Sequence, residues 1–177
     1  MTISAEPRFV PITQDDFLLD IATLGEAIAA DPDWSPDFLI GIGRGGLVPA
    51  TYLSHRMGIA LLSVDYSSKV AGFAEDLLAQ LAKRVAGGEH ILLIDDINDS
   101  GATIAFLRHR LLDQGAVPER LRFGVLIDNS RSRERVDYRA RTIDRAIDKS
   151  WFVFPWEGVA PRSALIEDAR AVPERLA

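Results

Sequence analysis

Apolar residues along this 177-residue chain fall into two patterns: short continuous runs, and stretches where they recur every three or four positions. The runs predict strands buried on both faces, and the periodic stretches predict amphipathic helices packed over them. Phe17, Leu18, Ile21, Leu24 and Ile28 keep helical spacing, and Thr13 followed by Asp16 supplies a capping box ahead of them. That helix ends before Asp31-Pro32, and Trp34-Ser35-Pro36 forms a loop. Phe38 to Ile42 predicts the first central strand. Leu47 to Met57 predicts a helix with Pro49 in its first turn and Gly58 as its C-cap. Ile59 to Val64 gives the next strand, and a polar connection from Asp65 to Gly72 leaves it. Phe73, Leu77, Leu78, Leu81 and Val85 then form a helix stopped by Gly87-Gly88. Ile91 to Ile94 is too short for a helix and predicts a buried strand. A helix from Ala102 to Gln114 and a strand from Leu121 to Ile127 complete the series. This alternation implies an α/β fold with a mostly parallel sheet covered on both faces, and ligands at the carboxyl ends of its strands.

Composition narrows the function classes. The length suits a single domain, and 47% hydrophobic with 26% charged residues is ordinary for a globular protein. Cysteine is absent, which removes disulfides, thiol catalysis and cysteine-based zinc sites, and makes a reducing cytoplasm the easiest home. No apolar run reaches the length of a membrane span, and no secretory leader pattern opens the chain. A net charge of −6 argues against general affinity for nucleic acid. His55, His90 and His109 are scattered without ligand spacing, so none is assigned to a metal.

The chemistry concentrates in His90 to Phe106, HILLIDDINDSGATIAF. An apolar strand leads to two adjacent carboxylates, Asp95 and Asp96, then to the turn Asn98-Asp99-Ser100-Gly101-Ala102-Thr103 and a helix. Exposed amides at the helix start, with the hydroxyls of Ser100 and Thr103, suit a phosphate group. Ionised Asp95 and Asp96 can only accept hydrogen bonds, which suits the two hydroxyls of a ribose. An ordinary strand-turn-helix would explain one capping aspartate, not three.

LLIDDINDSGAT resembles the signature of the type I phosphoribosyltransferases that binds 5-phosphoribosyl 1-diphosphate (PRPP). In that family an apolar strand, two acidic residues and a D-[ST]-G-x-T loop follow in this order. Gly41-Ile42-Gly43-Arg44-Gly45-Gly46 satisfies G-x-G-x-x-G, with Asp65 lying 19 residues after Gly46, which is also a dinucleotide fingerprint. GRGGLVPA is similar to the family's pyrophosphate loop, and the second signature after Ile94 favours that reading. The resemblance then implies that amides of Arg44, Gly45 and Gly46 cradle the diphosphate while the Arg44 guanidinium neutralises it. Asp99 to Thr103, including Ser100, Gly101 and Ala102, would hold the 5′-phosphate, and Asp95 and Asp96 the ribose. It further implies a Rossmann-like core over about 37–130, with a small hood drawn from about 1–20 and 130–160. The connection Asp65 to Gly72 would be a mobile flap, bringing Tyr66, Ser67 and Lys69 to the diphosphate when closed.

Two later stretches bear on the acceptor. Trp151-Phe152-Val153-Phe154-Pro155-Trp156-Glu157 is similar to the base-binding end of the xanthine-guanine and hypoxanthine phosphoribosyltransferases. By that resemblance Trp151 stacks on a purine, the Phe152 backbone bonds its edge, and Glu157 with Asp96 lies on the Mg²⁺-diphosphate side. Trp156 is expected in the core. The relatives carry a lysine that reads the 6-oxo group; here Asn129 stands nearest that position, and an amide does not fix the base. The six arginines between Asn129 and Lys149, Arg145 among them, alternate with acidic residues and predict a solvated mixed-charge surface or a subunit rim.

The function implied is transfer of phosphoribosyl from PRPP to hypoxanthine, guanine or xanthine in purine salvage, with Mg²⁺ as cofactor. Asp99 would be the general base, and a homodimer or homotetramer is the expected assembly. A regulatory relative that keeps the nucleotide pocket without turnover is the alternative, and a nicotinamide-dinucleotide protein is a weaker one.

Overall fold

The computed structural model describes residues 7–65 and 73–172. The flap residues Tyr66, Ser67 and Lys69 lie outside the described residues. Five parallel strands form the central sheet: β2 (Phe38–Ile42), β3 (Ala60–Val64), β4 (Ile91–Asn98), β5 (Leu121–Asn129) and β6 (Tyr138–Ile143). Their order across the sheet is β3-β2-β4-β5-β6. A separate two-stranded parallel ribbon joins β1 (Phe9–Pro11) to β7 (Trp151–Val153), pairing Phe9 with Trp151.

Pleating splits β4 between two cores. Ile91 and Leu93 join Leu78, Leu81 and Val85 of α3 (Phe73–Ala86) and Ile104, Leu107 and Leu111 of α4 (Ala102–Asp113). Leu92 and Ile94 face the other way, onto Phe17, Ile21, Leu24 and Ile28 of α1 (Gln14–Ala29) and Ala50 and Leu53 of α2 (Gly43–Met57). Ile91 to Ile94 are fully buried, as a continuous apolar run covered on both faces requires. Thr13 caps α1 as expected, its Oγ1 accepting the Asp16 N–H at 3.1 Å.

Strand order reverses between β2 and β4. The chain steps outward to β3, then crosses back to place β4 on the other side of β2. At such a point the two flanking connections diverge and leave a crevice at the strand ends. The segments after β2 and after β4 both open there.

Three boundaries differ from the sequence reading, each for a physical reason. The acidic pair does not follow β4 but lies inside it, because the ladder with β5 continues through Asp95↔Val125 to Asn98↔Asp128. Helix α2 begins at Gly43 rather than near Leu47, so its glycines are the first helical turn and Pro49 sits in the second. Strand β6 lies within the arginine-rich stretch, where the sequence reading placed a charged surface.

Candidate active site

Glycines set the geometry of the crevice. Gly43 has φ +55°, a left-handed turn that takes the chain straight from β2 into α2. Helix α2 then lies directly against the acidic end of β4. A Cβ on Gly46 would overlap the Ile94 carbonyl oxygen and stand 3.0 Å from Asp95 Cα. One on Gly45 would run into the Asp96 carboxyl. The unpaired N–H groups of the first turn of α2 are thereby held beside the two carboxylates, with Arg44 exposed at the same turn.

Gly101, at φ +85°, caps α4 and presses the phosphate turn against the segment 132–134, where a Cβ would come within 2.8 Å of the Glu134 N. The Ser100 hydroxyl receives the Ala102 N–H at 3.3 Å, which tightens the turn. Residues Asp95 to Ile104 line a cavity of about 250 Å³ over this helix start. The expected phosphate contacts Asp99, Ser100, Gly101, Ala102 and Thr103 all lie on it.

Asp95 is pushed well above the usual carboxylate range, first by burial and then by the Asp96 charge; the Asp96 N–H, 3.0 Å from Asp95 Oδ1, opposes this. Pleating turns the two carboxyls to opposite faces of β4, and the Asp96 carboxyl, beside Gly45, could offer hard oxygen to a magnesium ion. The described residues hold no cluster of three possible ligands, so oxygens of a diphosphate would have to complete its shell.

Asp96 also borders a second cavity, of about 160 Å³, with Ile97, Arg145, Trp151, Phe152, Phe154 and Glu157. The structure therefore brings Trp151 and Phe152, half-buried on β7, into one cavity with Asp96. Glu157 is there as well, but its Oε2 accepts the Phe154 N–H at 2.9 Å and so caps the short turn Pro155–Val159. Burial raises the Glu157 carboxyl, and the Phe154 N–H bond, then the Arg44 charge, partly offset this. Trp156 stacks on Phe154 at 4.7 Å and meets Phe17 edge-on at 5.4 Å, as a core residue does.

Asn129, expected nearest the base, stands apart from this recess. It is buried and borders a different cavity, beside Asp128 and Glu134. Its amide bonds inside the protein, donating to the Asp99 carbonyl at 2.9 Å and accepting the Arg131 and Arg145 N–H groups, both at 3.2 Å. It braces the Asp99 turn.

Sequence reasoning missed Arg145. Its guanidinium grips Asp99 through Nε–Oδ1 at 3.1 Å and Nη2–Oδ2 at 3.2 Å, and Nη1 donates to the Ser150 and Asp148 carbonyls at 2.7 and 3.2 Å. The group lies 5.1 Å from the Phe152 ring centroid, and only 10% of the side chain is exposed. Asn98 was missed too: buried, it binds Asp128, the Glu134 carbonyl and Ser132, fixing the loop under the phosphate turn. Neither residue carries a local pattern. Each is defined by partners 30 or more positions away in sequence, so only the fold could reveal it.

The doubly wound sheet thus carries at its strand ends a helix start, a carboxylate pair and an aromatic-lined recess, in adjoining cavities. Comparison with known proteins agrees. The phosphoribosyl transferase domain model matches residues 12–158, and the chain belongs to that family. The chain is 33% identical over 128 residues to the xanthine-guanine phosphoribosyltransferase of Idiomarina loihiensis, a match covering 67% of this chain and 70% of that protein. Among solved structures it is similar to the purine phosphoribosyltransferase of Pyrococcus horikoshii, with 25% identity, TM-score 0.63, and 84% and 93% of the two chains covered. A hypothetical protein of Neisseria gonorrhoeae solved with bound ppGpp shares the fold, with TM-score 0.67, 21% identity, and 95% and 97% covered.

Proposed function

We propose that this protein transfers the 5-phosphoribosyl group of PRPP to an oxopurine, hypoxanthine, guanine or xanthine, giving the nucleoside monophosphate and pyrophosphate in purine salvage in the cytoplasm. The observation that carries this is the contiguity of the two cavities through Asp96, which sets an aromatic recess against a phosphosugar seat. The 33% identical relative is named for the same reaction class.

In this reading the first turn of α2, with Arg44, Gly45 and Gly46, holds the diphosphate, and the turn Asp99 to Thr103 holds the 5′-phosphate. Asp95 and Asp96 accept the ribose hydroxyls. Asp96 would help hold Mg²⁺ with the diphosphate, and the ion would supply charge neutralisation for the leaving group. Trp151 stacks on the base; such stacking contributes about 1–3 kcal/mol and tolerates any base. The ribbon β1–β7 acts as the hood over it. N9 of the base forms the bond to C1′ as the bond from C1′ to the diphosphate oxygen breaks, and the N7 proton passes to Asp99. Held at both ends, PRPP is fixed relative to the base, which removes much of the entropic cost of bringing them together.

Incubation with PRPP, Mg²⁺ and single bases, with pyrophosphate as the readout, tests the proposal. Release with an oxopurine supports it. Release only with orotate or uracil keeps the transferase but removes the purine assignment. Silence with every base, while PRPP still binds in a calorimeter, transfers the reading to a nucleotide sensor.

A further inference from the structure

The assignment of a base recess leaves its selectivity unexplained, because Trp151 stacks on any ring and Asn129 lines a different cavity. Arg145 is the cationic side chain that lines the recess itself. Four of its five N–H groups are accounted for: one at Nε and one at Nη2 on Asp99, and two at Nη1 on the Ser150 and Asp148 carbonyls. The second Nη2 hydrogen has no acceptor assigned to it among the described residues. Asp99 Oδ2 stands 3.2 Å from that same nitrogen, so an acceptor and a donor lie together on one edge. The carbonyls of Ser150 and Asp148 and the backbone bond from Arg145 to Asn129 fix the guanidinium, so the edge is preorganised.

An oxopurine with its proton on N7 presents the matching edge, an N–H donor next to a carbonyl acceptor. A 6-aminopurine presents two donors there. We propose that Asp99 and Arg145 form a single recognition edge, and that Arg145 is the specificity residue, donating to the 6-carbonyl of the base while Asp99 accepts from N7. The proposal rests on the reading of the recess as a base site. It places the 6-oxo contact at Arg145, which lines the recess, and not at Asn129, which lines a different cavity. A planar, always-charged group suits this task because it can serve Asp99 and the base at the same time. An aminopurine would turn a donor toward this donor, which its bonds to Asp99, Ser150 and Asp148 hold in place.

The test is steady-state kinetics of Arg145→Met and Arg145→Lys with hypoxanthine and with adenine, alongside calorimetric binding of PRPP. The hydrogen bond from a charged donor predicts a rise of about 10- to 100-fold in the hypoxanthine KM for Arg145→Met, with PRPP affinity unchanged. The ratio of hypoxanthine to adenine kcat/KM falls toward one. Arg145→Lys, which keeps a charged donor, retains most of the preference and provides the readout should the methionine variant fail to fold. Equal losses for both bases in the lysine variant, or a parallel loss of PRPP binding, would mean that Arg145 only supports the fold, and would overturn the inference. If the wild-type protein binds PRPP yet turns over no purine, the proposed reaction is what fails. Arg145 is then judged by calorimetry with inosine and adenosine monophosphates. A wild-type preference for the inosine nucleotide that Arg145→Lys keeps and Arg145→Met loses supports the recognition edge, and no preference overturns it.

Discussion

Replacing Gly46 by alanine isolates the contact that brings the two halves of the site together. Alanine favours a helix over glycine by about 1 kcal/mol, so propensity alone predicts a more stable protein. The structure predicts the opposite. The new methyl would overlap the Ile94 carbonyl oxygen and stand 3.0 Å from Asp95 Cα, and both are backbone atoms in the middle of a parallel ladder. Neither can rotate aside, so α2 must lift from β4. Overpacking costs about 1–3 kcal/mol, and a clash this close against backbone belongs in the upper half of that range, so after the propensity gain a net loss of roughly 1–2 kcal/mol remains. For a chain of this size that is a fall of about 2–8 °C in melting temperature. Lifting α2 also withdraws its first-turn amides from the crevice, so calorimetry should show weaker PRPP binding. Gly43→Ala is the control: a Cβ there meets nothing within 4 Å, and only the positive φ opposes it. Melting by circular dichroism and PRPP titration of both variants decide the matter. Gly46→Ala with unchanged or raised stability and full PRPP affinity would refute the claim that close approach of α2 to β4 builds the site.

Asp99→Asn should abolish most pyrophosphate release while PRPP binding survives, and loss of both together would reassign Asp99 to closing the phosphate turn. Asn129→Ala leaves the Asp99 carbonyl and two N–H groups without their buried partner, and chemical denaturation should show a loss of about 2–3 kcal/mol. Tyr138 packs beside Asp31 and Arg122, and burial, then the hydrogen bond to Asp31, pushes its phenol up to about 12. The folded state thus keeps the proton after the unfolded chain, near 10, has lost it. The stability this confers is full below about pH 10 and is lost as pH rises toward 12, which tyrosinate absorbance with parallel denaturation, repeated on Tyr138→Phe, will read.

The sheet and one half of the site were legible because their signals are local. Ile91 to Ile94 is a strand by its own run of apolar residues, and the two carboxylates and the Ser-Gly turn follow within ten positions. Helix α2 was read as starting late because Gly43 to Gly46 looks like a loop by propensity. Close packing against β4 overrides propensity there, and glycine is what permits it. Strand β6 was hidden by its arginines. The Arg141 guanidinium lies 5.9 Å from the Phe152 ring centroid and pairs with Asp20, so a charged residue in a strand serves the packing of the ribbon. Arg145 looked like one of six similar surface charges, and only the contact of its loop with the Asp99 turn distinguishes it.

The central claim is that one crevice holds PRPP and an oxopurine in line for transfer. Its most direct measurement is simultaneous chromatographic quantitation of nucleoside monophosphate and pyrophosphate from PRPP, Mg²⁺ and hypoxanthine or guanine. The account predicts that both products appear in equal amounts and only when the base is present. Pyrophosphate without nucleotide, or neither product from a protein that still binds PRPP, would contradict it.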